Sequence, residues 1–161
     1  MTDARADIAS GAGAEAQGVF TSIFQAARAL KFALRPELER AQLTTPMFWA
    51  LHELAGDGTM SVGSIATACA VTSANISAAI EDLVRAGLVR RSTSVKDRRI
   101  AMLTATAKGR ALDRTVWARA VERLAVSLED VPRSDLETTA RVVGRLSHSP
   151  GVAPSGEEVA A

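Results

Sequence analysis

The chain has 161 residues, 47% of them apolar and 23% charged, with a net charge of +1, one cysteine and no tyrosine. That length suits one domain with its own core; a lone cysteine excludes an intrachain disulfide and fits a reducing cytoplasm; and four Phe with two Trp are too few for a base-stacking platform on single strands or RNA. No run reaches the ~18–20 uncharged apolar residues of a membrane span, and the N-terminal stretch lacks a basic start followed by an apolar block, so no membrane or secretory segment is expected.

Residues 1–15 are Ala- and Gly-rich and weakly patterned, and are expected to form a flexible N-terminal arm. Over 16–34, Phe20, Ile23, Ala27, Leu30 and Leu34 share one helical stripe, which Phe24 and Phe32 widen. So broad a stripe exceeds what one small neighbour covers and favours a partner chain. Pro36 is expected to end or kink this helix near Arg35, with a short helical turn following as far as Gln42. A second helix is predicted over 44–55, with Thr44 or Thr45 as its cap and Pro46 in its first turn. Phe48, Leu51, Leu54 and Ala55 would face a core, and Gly56-Asp57-Gly58 stops the helix.

The stretch 61–104 carries the sharpest pattern. Ser61 can cap a short helix by accepting first-turn N–H groups, with Ile65, Ala66 and Cys69 on one face. Ala70-Val71-Thr72 reads as a turn, and Thr72 as the cap of a second helix. There Ile76, Ala79, Ile80, Leu83 and Val84 recur at i, i+3, i+4, i+7 and i+8, the stripe of a helix pressed on a core. The opposite face opens with Ser73, Asn75, Ser77 and Ala78, all small, and Gly87 follows at a C-terminal cap position that suits glycine. Leu88-Val89-Arg90-Arg91 and residues 100–104 then read as two strands around a loop at 92–99. A helix-turn-helix followed by a hairpin with a basic tip is a winged helix-turn-helix, whose second helix meets base edges in a major groove. From Arg85 to Arg110 there are eight basic residues and one acid, a local balance of +7 on a chain whose total is +1. Charge so concentrated is the footprint of a phosphate-binding face.

Thr104 or Thr106 starts a long helix predicted to run to about Leu128, with Leu112, Val116, Val121, Leu124, Ala125 and Leu128 on its apolar side and Trp117 flanking. Pro132 opens a last helix carried by Leu136, Ala140, Val143 and Leu146. Residues 148–161 show no periodicity and are expected to be a flexible C-terminal tail. The first helix and the last two carry unspent apolar surface, which would interlock between two protomers.

Leu43-Thr44, Leu51, Leu54, Ile65-Ala66, Leu83, Ala86-Gly87-Leu88-Val89, Asp97-Arg98-Arg99 and Leu103-Thr104 with Gly109 together resemble the MarR family of winged-helix regulators. The likeness runs from about residue 27 to 146 and is most specific over 87–109. It departs from the family pattern at Met47, where Gln is usual, and at Ala78, where a basic residue is common. The resemblance implies a homodimer on a palindromic double-stranded DNA operator, usually repressing, and often released by small lipophilic or phenolic ligands.

Asn75 and Ser77 are the candidates for reading bases, because an Asn amide can bond adenine bidentately; the alternative is an ordinary solvated helix face. Ser61, Ser64, Thr72 and Ser73 are candidate phosphate donors near helix N-termini, though capping explains Ser61 and Thr72 equally well. At the wing tip Asp97 is expected to order the loop by a charge-assisted hydrogen bond to Arg99 or a neighbour. Lys96, Arg98 or Arg99 would then enter a minor groove or meet phosphates; the alternative is solvated loop charge. Phe24, Phe48, Trp49, His52 and Trp117 are candidates to line an apolar ligand pocket where the first, second and long helices meet, with Arg28 or His52 holding an anionic group. An aromatic core is the blander account of those five and the preferred one. Cys69 reads as a buried, inert thiol in preference to a redox sensor. Two scattered His make no metal site, and no phosphate loop or nucleophile elbow is present, so neither metal, cofactor nor enzymatic activity is expected.

The expected architecture is mainly α: a winged helix-turn-helix over 43–104 with a two-stranded β-wing, and a helical dimerisation region from 16–42 and 105–147. The expected function is a cytoplasmic, homodimeric, DNA-binding transcriptional regulator. A protein-interaction adaptor using the same fold without an operator is the alternative; Ala78 and the small polar helix face allow it, and the +7 window opposes it.

Overall fold

Four helices in the middle of the chain each start on a hydroxyl that accepts the backbone N–H three residues on. Thr44 takes Met47 N–H at the start of α2 (Thr45–Asp57), and Ser61 takes Ser64 N–H at the start of α3 (Val62–Ala68). Thr72 takes Asn75 N–H for α4 (Ser73–Arg85), and Thr106 takes Gly109 N–H for α5 (Ala107–Val126). Each cap satisfies a donor that the helix itself leaves orphaned, worth about 1 kcal/mol. The remaining elements of this computed structural model, which describes residues 11–93 and 101–147, are α1 (Gly11–Ala41), α6 (Arg133–Ser147) and three short strands, β1 (Thr59–Ser61), β2 (Val89–Thr93) and β3 (Ala101–Ala105). The expected 1–15 arm and 148–161 tail fall largely or wholly outside the described residues.

Pro36 does not end α1. The helix is continuous from Gly11 to Ala41, so the proline costs it one N–H bond without breaking it. Leu34 and Leu38 are buried on either side of Pro36, and Arg35 bonds Glu39 at 2.9 Å across it. Tertiary anchoring on both flanks outweighs the local loss. The sheet also departs from expectation. β2 and β3 pair antiparallel with Val89 opposite Ala105 and Thr93 opposite Ala101, as a wing requires, but β1 adds to the other edge of β3 with Thr59 opposite Thr104. Three residues are too few to show a period of two in sequence.

The core lies between α2, α3, α4 and β3. Phe48, Leu51, Leu54, Ile65, Ile76, Ile80, Leu83 and Leu103 are fully buried there, each side chain contributing about 1.5–3 kcal/mol by leaving water. Met47 points into this core too, so the family's usual Gln is replaced by a side chain that needs no polar partner.

α5 is fastened to the rest at two polar points. At its start, α4 ends in a Schellman motif: Leu88 N–H donates to Leu83 O at 2.9 Å, Gly87 N–H to Val84 O at 3.0 Å, and Gly87 takes φ 70°. The freed Leu88 carbonyl then accepts Thr106 N–H at 2.9 Å and the Thr106 hydroxyl at 3.1 Å. Gly109 packs directly on that carbonyl; a Cβ at this position would lie 2.1 Å from Leu88 O. Further along, Glu37 of α1 is buried to 3% exposure and holds three arginines. Arg40 is 2.9 Å away, Arg123 of α5 3.1 Å and Arg119 of α5 3.8 Å. Burial alone would raise the Glu37 pKa; hydrogen bonds from Arg123 and Arg40, with their charges, more than offset it and hold the carboxyl below its usual range.

α1, α5 and α6 keep much of their apolar surface in the open, Phe20, Phe24, Phe32, Trp117, Val121, Val126 and Val142 among it. Among the described residues α6 has no extensive contact with any other element.

Two outcomes follow for stability. Gly109→Ala must push α5 off the Leu88 carbonyl and should cost about 1–3 kcal/mol or more in urea unfolding; a variant as stable as the parent would disprove the close approach. Because the Glu37 pKa is lowered on folding, its ion pairs stabilise fully above the ordinary glutamate range and progressively less as pH falls through the depressed value. Glu37→Gln should therefore be less stable than the parent at pH 7, with the difference in melting temperature shrinking below about pH 4.

Candidate functional site

The axes of α3 and α4 bend by 111° at the turn between them, within the range of a helix-turn-helix. The turn closes as a second Schellman motif, with Val71 N–H on Ala66 O and Ala70 N–H on Thr67 O, both at 3.0 Å. Ala70 holds φ 53° there, a left-handed position where glycine is usual. On α4, Ile76, Ala79, Ile80 and Leu83 are buried against the core. That fixes the rotation of the helix and turns Ser73, Ala74, Asn75 and Ala78 outward, all exposed.

Within this face the predicted residues divide by what already engages them. The Asn75 amide has no hydrogen-bond partner among the described residues, while its N–H is taken by the Thr72 cap at 3.3 Å. Ser77 is half-buried and its hydroxyl donates to Ser73 O at 2.6 Å, leaving the oxygen free to accept but not to donate. Ser61 and Ser64 bond one another at 2.9 Å, and Ser61 also caps α3. So Ser61 and Thr72 are caps, Ser73 and Asn75 are the open polar side chains, and Ala78 presents a methyl group.

The basic window is sorted in the same way. Lys108 donates to Ala86 O at 3.0 Å, Arg110 donates to Ala105 O, and Arg85 bonds Asp82 at 2.6 Å. Those three brace the ends of α4 and β3. Arg90 and Arg91 on β2, opposite Thr104 and Leu103, are exposed and have no ion-pair partner among the described residues. Sequence reasoning counted them in the charge balance without singling them out. Lys96, Asp97, Arg98 and Arg99 lie outside the described residues.

Of the candidate pocket residues, four come together. Phe48 is fully buried at the centre of a cluster, with ring centroids 5.1 Å from Trp49, 5.7 Å from His52 and 6.4 Å from Trp117. His52 stacks on Trp117 at 4.5 Å, and its Nδ1 donates to the buried Asp113 carboxylate of α5 at 2.9 Å. Phe24, by contrast, is 58% exposed on α1 and is not part of the cluster. Two clefts open around it. One, of about 570 Å³, lies between α1 and the start of α2 and is lined by Arg28, Lys31, Thr44, Thr45 and Trp49, among others. The other, of about 280 Å³, is almost wholly apolar and lies between α1 and α5 beside Trp49 and Trp117. Lys31 was not singled out from sequence; it borders both.

Cys69 is half-buried; desolvation, aided by the charge of Glu53, pushes its thiol up to about 11. Among the described residues no group of His, Cys, Asp and Glu could hold a metal ion, and no single helix is long and apolar enough to cross a membrane.

Residues 41–100 match the model of the MarR family. The chain is similar in structure to NadR in complex with 4-hydroxyphenylacetate, at 24% identity over 82% of this chain and 94% of that one, with a TM-score of 0.70. It is similar to Bordetella bronchiseptica BpsR, whose DNA binding is regulated by 6-hydroxynicotinic acid, at 21% identity, 82% and 94% coverage and a TM-score of 0.69. CouR from Rhodococcus jostii RHA1 bound to p-coumaroyl-CoA matches at 18% identity, 82% and 93% coverage and a TM-score of 0.69. At such identities these likenesses speak for the fold. Comparison with the curated proteins gives no match.

A thiol with a pKa near 11 is scarcely ionised at neutral pH. Iodoacetamide at pH 7.5 should therefore modify Cys69 roughly two orders of magnitude more slowly than an exposed cysteine; labelling at the free-thiol rate, followed by mass spectrometry, would contradict this.

Proposed function

We propose that the chain is a winged-helix transcriptional regulator of the MarR family, whose model matches residues 41–100, and that it acts as a homodimeric repressor. It would bind a palindromic double-stranded operator and be released by a small lipophilic or phenolic anion. The observation that carries this is the division of α4. One stripe is locked into the core and the other offers Ser73 and Asn75 to solvent, while the wing strand carries the exposed Arg90 and Arg91, which have no ion-pair partner among the described residues. Asn75 would read a base edge, the arginines would meet phosphates, and the wing-tip residues Lys96, Arg98 and Arg99, ordered by Asp97, would extend that contact.

Dimerisation would come from residues 16–42 and 105–147. The exposed Phe20, Phe32, Val126 and Val142, and a helix α6 with little to rest on, support it, because water does not tolerate so much unspent apolar surface on one small chain. Two α4 helices about one DNA turn apart, ~34 Å, would then enter successive major grooves. Control by a ligand is supported by the clefts at the α1–α2–α5 junction and by the aryl acids and aryl thioester bound or sensed by NadR, BpsR and CouR.

Selection of bound fragments from genomic DNA, followed by gel shift at two salt concentrations, tests this. Contact with about eight phosphates per dimer predicts a slope of log K against log salt near −7. Asn75→Ala should cost about tenfold or more on the selected site and far less on random DNA. Phe20→Asp should shift the chain from dimer to monomer by light scattering and abolish the shift. A parent chain that is monomeric, or binds all duplexes alike, overturns the proposal.

A further inference from the structure

The buried Glu37 of α1 draws three guanidinium groups to itself, Arg40 at 2.9 Å, Arg123 at 3.1 Å and Arg119 at 3.8 Å. One carboxylate cannot neutralise them, and a surplus of two positive charges remains. The geometry shows which donors are spare. Arg40 directs a single nitrogen, Nη1, at both Glu37 oxygens, so its Nε and Nη2 are uncommitted among the described residues. Arg119 stands too far from Oε2 for a hydrogen bond and makes none among the described residues. A cleft of about 90 Å³ opens beside these two arginines at the seam of α1 and α5, walled by Leu112 and the buried Val116 and edged by Thr115. Glu37 is the one carboxylate among the residues that line it. The Thr115 hydroxyl spends its proton on Ala111 O at 2.9 Å, so the donors available there are guanidinium N–H groups. This cleft shares no lining residue with the two larger ones.

We propose that this seam binds a single phosphoryl dianion, either inorganic phosphate or the phosphate of a small phosphomonoester, between Arg40 and Arg119. The inference goes beyond the operator reading and does not rest on it. A dianion matches the surplus of two charges, where chloride or a monocarboxylate meets only half of it. The planar guanidinium fork fits phosphate oxygens in pairs, and the apolar wall of Leu112 and Val116 strengthens the attraction by excluding water from one side. At about 90 Å³ the cleft is well below the ~300 Å³ at which pockets for whole organic ligands begin, so the remainder of an ester lies outside it. The bound group bridges Arg40 of α1 to Arg119 of α5 and reinforces the seam that Glu37 already closes.

Calorimetric titration of the full-length chain at pH 7.5 and fixed ionic strength, with sodium phosphate and with glycerol 1-phosphate, tests this against chloride and acetate. Saturable heat is expected for the phosphoryl compounds only. The melting temperature should rise with the same ligands and level off, which separates site binding from the unsaturating effect of phosphate as an excluded salt. Arg119→Gln should weaken binding about tenfold. Thr115→Met alters no charge but fills the cleft, and should abolish binding. Glu37→Gln, although less stable than the parent, should bind about tenfold more tightly, because it removes the carboxylate that competes for the same arginines; a purely structural cluster gives no such gain. Tighter binding of glycerol 1-phosphate identifies a phosphomonoester as the occupant, and tighter binding of phosphate identifies the free ion. The absence of saturable heat overturns the inference, as does binding that survives Thr115→Met. Loss of the phosphate heat when duplex DNA is added also overturns it, by assigning these arginines to the DNA-binding face.

Discussion

One carbonyl oxygen sets the geometry of the molecule. Leu88 O lies where α4 has ended and β2 begins, and it accepts both the N–H and the hydroxyl of Thr106, where β3 ends and α5 begins. Gly109 lets α5 settle onto this oxygen to a distance no side chain permits. Lys108 and Arg110 add bonds to Ala86 O and Ala105 O on either side. Helix α4, the wing strands and the long helix are thus tied at one junction through main-chain atoms, which leaves them little freedom to move separately. A displacement of α5 carries α4 and the wing with it.

The other attachments of α5 are of a softer kind. His52 to Asp113 links α2 to α5, and Glu37 to Arg119 and Arg123 links α1 to α5. Each uses an ionisable group at the edge of solvent. Such pairs add little net stability, since desolvation offsets most of the Coulomb gain, but they penalise wrong registers because a stranded buried carboxylate is costly. Apolar contacts between helices are non-directional, whereas these polar links hold particular atoms against one another. α5 is therefore joined to the end of α4 through main-chain atoms at its start, and to α1 and α2 through side chains further along.

Most of this architecture was legible in the residues themselves, for a physical reason. Caps and stripes are local: Thr44, Ser61, Thr72 and Thr106 each act on an N–H three residues away, and Ile76 to Leu83 bury on one side whatever the rest of the chain does. What sequence did not reveal depends on distant partners. Pro36 stays helical because Leu34 and Leu38 are anchored by tertiary contact, and β1 forms only because β3 offers it an edge. Ala70 adopts a glycine-like φ because the α3–α4 turn demands it. The same limit applies to charge. The +7 window is visible by counting, but that Lys108 and Arg110 spend their donors on carbonyls while Arg90 and Arg91 stay open is a fact of three dimensions. The aromatic cluster was half legible: four of its proposed members meet, and Phe24, on the exposed side of α1, does not.

These attachments bear on how the clefts could govern α4. Trp49 stands on α2, within the winged helix-turn-helix, and Trp117 on α5; both border the apolar cleft between α1 and α5, and both touch the Phe48–His52 stack that joins α2 to α5. The apolar cleft lies along the middle of α5, away from its start at Leu88 O. Thr106 and Gly109 hold that start on Leu88 O, so α4 and α5 share one junction. Gly109 keeps that junction in direct main-chain contact.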